Sequence, residues 1–300
     1  MVRSPDEIPK GVLWLQAIDA MPTRIITLTV NEYARCKANL STGWNMMNFS
    51  RFQGIRGADM STEIRADRSM LSLRALFEID HGKTREAHSS MPSWGGVGCY
   101  LSHVALWEEA AESQYGIFIF EADAVPAADT YRVVKDALRR LRERDQPVDA
   151  LFFGHFYVLS GKNSGIEDVQ LATGRILGLT GYYLSPHGAE RLLSKVFPME
   201  VQVDSYIGYM IGESDAQIYY TRRTLVKQKN VDGTKIQLKT VRDVGTQAWD
   251  HFNSMGLTGG QTSLIVVAIL LMVIVVVFLA ILLWKRHGSV LAKRPTQKVT

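Results

Sequence analysis

The chain has 300 residues, 46% of them hydrophobic and 21% charged, with a formal net charge of +4. Lys285, Arg286, Lys293, Arg294 and Lys298 place five positive charges in the last 16 residues, which hold no acid, so the remainder is close to neutral and the basic balance gives no reason to expect nucleic-acid binding. Two cysteines, Cys36 and Cys99, argue against a disulfide framework and against a zinc site.

Residues 1–22 read as an irregular arm: Pro5 and Pro9 interrupt it, and Val12 to Leu15 is too short an apolar run for a secretory leader. Arg24 to Val30 is strand-like, and Asn31-Glu32 can cap a helix running to about Met46. Phe49 to Gly54 is a second strand, and Ser61 to Phe77 has helical spacing. His81 to Ser93 is polar and loop-like, either a cover for a ligand or a surface excursion.

The stretch Gly98 to Pro126 organises the rest. Tyr100, Val104, Trp107 and Ala111 recur at spacings of four, three and four, a helical apolar stripe with His103 at its border. Tyr115-Gly116 ends that helix. Ile117 to Phe120 then reads as a strand buried on both faces, and Glu121-Ala122-Asp123 follow at its carboxyl end, where open α/β sheets bind ligands. Two acids one residue apart can hold a hard divalent cation such as Mg²⁺ or Mn²⁺ against a substrate diphosphate. They can equally cap a helix or sit solvated in a loop.

Asp129 opens a helix with Val134, Ala137, Leu138 and Leu141 inward and Arg139, Arg140, Arg142 and Arg144 on a solvated face. Asp149 to Gly154 is another buried strand, ending at His155. Gly161 to Gly174, rich in Gly, Ser and Asn, reads as loop. Gly181 to Ser185 is a strand feeding a helix that begins at Pro186. Val201 to Asp204 alternates, with Asp204 either a site carboxylate or the cap of a helix over Ser205 to Ile211. Ile218 to Thr221 and Leu225 to Gln228 complete the sheet, and a hairpin is expected around Asp232-Gly233. Strands alternating with helices predict a mostly parallel α/β sheet over a domain spanning 23–250. After a linker at 251–263, Leu264 to Trp284 is a run of 21 residues without a charge, long enough to cross a bilayer as a transmembrane helix, with a basic tail at 285–300.

The ordered set GCYLSH (98–103), ALWE (105–108), Glu121-x-Asp123-Ala124, Phe52-x-Gly54-Ile55-x-Gly57, Gly181-Tyr182-Tyr183-Leu184-Ser185-Pro186 and Val203-Asp204 resembles glycosyltransferase family 25, which includes lipooligosaccharide and collagen galactosyltransferases. The resemblance runs over roughly residues 23–229. It implies a GT-A nucleotide-sugar fold, a Mn²⁺ (or Mg²⁺) cofactor, a UDP-sugar donor with galactose as the expected sugar, and inverting transfer to a hydroxyl of a glycan, glycolipid or protein acceptor. It further implies that Asp123 and Glu121 hold the metal and that Glu121, Ser102 and His103 line the donor site. Asp204 is then the catalytic base, with Glu213 and Asp215 competing for the role. Where the family writes Glu-Asp-Asp this chain has Glu121-Ala122-Asp123, and of the arginines after the first motif only Arg35 stands. Those departures leave a second reading, a non-catalytic membrane-anchored protein that keeps the fold to bind a glycan or a partner.

The placement of the expected span, close after a long domain without a leader, predicts a C-terminally anchored, single-pass protein with its catalytic domain on the cytosolic side; the basic tail after the span argues the reverse. Protease added to sealed membranes distinguishes the two. Digestion of the domain without detergent is expected, and full protection would reverse the assignment.

Overall fold

The computed structural model describes residues 16–45, 48–67, 69–81, 90–91, 93–213 and 215–229, all within one compact unit, Met1–Asn253. The expected hairpin at Asp232-Gly233, the linker, the apolar run 264–284 and the basic tail lie outside the described residues. Among the described residues no helix is long and apolar enough to cross a membrane.

Residues 16–20, expected as part of an irregular arm, form a helical turn that buries Ile18. Strand β1 (Thr23–Thr27) and helix α1 (Val30–Leu40) follow. Thr29 starts that helix two residues before the expected Asn31: its hydroxyl accepts the Glu32 N–H while the Glu32 carboxylate accepts the Thr29 N–H, a reciprocal cap. Strand β2 (Phe49–Gln53) comes where expected. The helical spacing over Ser61 to Phe77 is divided between α2 (Ser61–Ala66) and α3 (Leu73–Asp80), because Ser72 caps a fresh helix through the Ala75 N–H. Then come α4 (Trp94–Glu112), β3 (Ile117–Glu121), β4 (Ala124–Pro126), α5 (Thr130–Glu143) and β5 (Ala150–Gly154). The remaining elements are β6 (Tyr157–Val158), β7 (Gly161–Asn163), β8 (Val169–Ala172), β9 (Ile176–Leu177), β10 (Gly181–Leu184), α6 (Pro186–Leu193), α7 (Val203–Glu213), β11 (Ile218–Thr221) and β12 (Val226–Gln228).

Eight strands form one sheet in the order β2-β1-β3-β10-β5-β11-β8-β7. Their pairings give β10 and β8 one direction and the other strands the opposite one, so the sheet is mixed with a predominant sense. Two further expectations need correction. The Gly/Ser/Asn-rich stretch 161–174 is not all loop, since β7 and β8 form a short hairpin added at the β11 edge. Nor does Leu225 to Gln228 complete the sheet: β12 pairs with β4 in a separate two-stranded ladder.

Burial on both faces explains the central strands. Ile117 and Ile119 enter a core with Tyr182, Phe152 and Trp107, while Phe118 and Phe120 enter another with Trp44, Phe153 and Leu138. Each fully buried side chain of this size contributes roughly 1.5–3 kcal/mol. Helix α4 is covered far beyond its expected stripe, with Leu101, Ser102, His103 and Leu106 buried as well. On the arginine face of α5, Arg139 and Arg140 both pair with Asp136.

Close backbone contact fixes how the segment after β2 meets α4. A Cβ on Gly98 would lie 2.3 Å from the Ile55 carbonyl oxygen and 2.5 Å from the Gly57 nitrogen. Ser102 reinforces the contact, accepting the Ile55 N–H at 2.8 Å and donating to the Gly98 carbonyl at 2.7 Å. Gly98→Ala is therefore expected to cost about 1–3 kcal/mol, read as a lower Tm; an unchanged Tm would show that the two segments separate freely.

Candidate functional site

Strand β3 ends at Glu121, the chain turns through Ala122 and Asp123, and β4 leads away. The Glu121 N–H donates to the Thr180 carbonyl at 3.2 Å, and the Cys36 thiol lies 3.4 Å from the Glu121 carbonyl. Burial, then the Asp123 charge, pushes the Cys36 thiol up to about 12, so it packs and braces.

Asp123 is held by the β4–β12 ladder. Its Oδ2 accepts the Gln228 amide at 2.6 Å and its carbonyl accepts the Lys229 N–H at 2.8 Å. Its Oδ1 is buried and has no hydrogen-bond partner. Burial, followed by the nearby charge of Glu121, raises the Asp123 carboxyl to about 7, with the Gln228 bond opposing. A buried carboxylate oxygen left open beside a second acid suits a hard cation, which both acids can ligate through oxygen.

His103 belongs to a buried chain of hydrogen bonds. The Trp107 indole N–H donates to the Tyr182 hydroxyl at 2.9 Å, and that hydroxyl lies 2.8 Å from His103 Nδ1. A hydroxyl that donates its one proton there leaves the imidazole proton on Nε2. Nε2 is buried without a hydrogen-bond partner and lies 3.7 Å from Glu121 Oε1, too far for a hydrogen bond.

Asp204 lies inside the first turn of α7, which begins at Val203 and so two residues earlier than expected. Its Oδ1 accepts the Ser205 N–H at 2.7 Å and its Oδ2 accepts the Gly178 N–H at 3.4 Å. Burial, then the charges of Glu121, Asp204 and Asp123, pushes the Cys99 thiol well up. The structure brings Glu121, Asp123 and His103 together, and the Asp204 charge is felt at Cys99, one turn before His103. Glu213, at the far end of α7, instead faces Lys195 on the surface. Ser102 stands apart, its hydroxyl committed to the Ile55 and Gly98 backbone. His155, just after β5, is buried and held down to about 4 by burial alone.

Three features of the site escaped the reading of the residues: Gln228, Trp107 as a hydrogen-bond donor, and Tyr182 as the partner of His103. Tyr182 does lie in the Gly181 to Pro186 motif, which was the available signal.

Residues 22–207 match the model of glycosyltransferase family 25, described as an LPS biosynthesis protein. The chain belongs to this family. It is a glycosyltransferase, with a sugar donor and an acceptor as its substrates. No curated protein matches the chain.

The raised Asp123 carboxyl has a consequence for the stability of this family 25 domain. A folded-state pKa near 7 against an unfolded value near 3.9 contributes stability that is full below about pH 4 and lost as pH rises through about 7. Thermal unfolding of metal-free protein is expected to show that loss in the wild type and a flatter profile in Asp123→Asn. Parallel profiles would show that Asp123 is not the group responsible.

Proposed function

We propose that this family 25 protein is a membrane-anchored, metal-dependent, inverting transferase of the GT-A type that moves a sugar, galactose by family resemblance, from a UDP-sugar to an acceptor hydroxyl. The observation that carries the reading is the open, buried Asp123 Oδ1 beside Glu121 at the carboxyl end of β3. Asp123 and Glu121 would hold Mn²⁺ or Mg²⁺, which when bound offsets the negative charge that builds on a departing diphosphate. Backbone N–H groups of Ser205 and Gly178 orient the Asp204 carboxylate, which takes the proton from the attacking acceptor hydroxyl. Ser102 supports the donor pocket through the Ile55 segment, and His103 faces Glu121 from within it. Anchoring rests on the uncharged run 264–284.

UDP-sugar turnover with Mn²⁺ tests the reading. Asp123→Ala is expected to abolish metal-dependent donor binding and turnover. Asp204→Asn is expected to lower kcat roughly 10²–10⁴-fold while donor affinity holds. Donor binding without any turnover in the wild type would instead favour the non-catalytic binding protein, to which Ala122 already points.

A further inference from the structure

The cysteine count argues against a zinc site, but the fold adds a ligand from β3 to a Cys–His pair on one helix. Cys99 and His103 are one turn apart on α4, and β3 delivers Glu121 to the same point. The ligand atoms of these three residues lie within 4.8 Å of one another. We propose that Cys99 Sγ, His103 Nε2 and a Glu121 carboxylate oxygen form a Zn²⁺ site distinct in ligand chemistry from the oxygen pair of Glu121 and Asp123.

Two observations beyond the cluster point to a cation. His103 Nε2 is buried with no hydrogen-bond partner, on a side chain only 1% exposed. Its 3.7 Å separation from Glu121 Oε1 is too long for a hydrogen bond yet close to the roughly 3.3–3.7 Å that separates two ligands of one tetrahedral zinc.

Binding is balanced by protons. The Cys99 thiol releases its proton to solvent as sulfur bonds to zinc. The imidazole proton moves from Nε2 to Nδ1 and donates to the Tyr182 oxygen, which accepts the Trp107 N–H on its other lone pair, while the phenol proton that faced Nδ1 rotates away from the ring. A thiolate, an imidazole and one carboxylate select zinc or cobalt over Mg²⁺ and Mn²⁺, and three protein ligands leave a fourth position open. Because Glu121 serves both arrangements, zinc would oppose Mn²⁺-dependent turnover; this consequence alone rests on the transferase reading.

The full-length protein titrated with Co²⁺ alone tests the site. A thiolate-to-cobalt charge-transfer band is expected in the wild type and in Cys36→Ala, and is expected to vanish in Cys99→Ala. Tyr182→Phe is expected to weaken Zn²⁺ binding about 10–100-fold through loss of the outer hydrogen bond. X-ray absorption of the zinc-loaded wild type, which needs no variant to fold, should report one sulfur at about 2.3 Å with nitrogen and oxygen at about 2.0–2.2 Å. Absence of the sulfur, or a band that survives in Cys99→Ala, would overturn the proposal. None of these readouts depends on sugar transfer, so their failure is distinguishable from failure of the transferase.

Discussion

Ile117 to Phe120 send alternate side chains into two cores, and none of the four is more than 1% exposed, so the strand that leads to the site has no wet face. Such a strand cannot shift by one residue without moving every side chain to the opposite core. Glu121, its first polar residue, is therefore delivered to one place, fixed from both sides by β1 and β10. The neighbouring turn inherits that precision.

Two acids, one buried and one half-buried, show how differently the same chemistry is treated. Asp149, just before β5, is enclosed: it meets His187 at 2.8 Å and accepts the Gln217 N–H at 2.7 Å, with Arg191 at 3.6 Å. That carboxylate ties α6 and the approach to β11 to the start of β5. Asp123, at the other end of the strands, has one oxygen bonded and one left open. A carboxylate whose demands are met holds a fold together, while one left short is ready for a ligand.

Much of this was legible in the residues. The unbroken apolar runs Ile117 to Phe120 and Ala150 to Phe153 announced strands covered on both sides, and the acids at the end of the first stand where such sheets bind ligands. Contacts across long separations were not legible. His103 meets Tyr182 79 residues away, and Asp123 meets Gln228 105 residues away, distances over which periodicity carries no information. The β7–β8 hairpin was hidden for another reason: Gly161 and Asn163 have turn chemistry, and only pairing with β8, itself laid against β11, makes β7 a strand.

Gln228 lies beyond the end of the family match at residue 207, as do β11 and β12. A fragment trimmed to the match would leave β5 without its β11 neighbour and Asp123 without its amide. The same order governs biosynthesis. A ribosome delivers Asp123 long before Gln228, so the carboxylate waits through 105 residues of elongation for the amide that holds it. Completion of the site is thus one of the last events in making the domain.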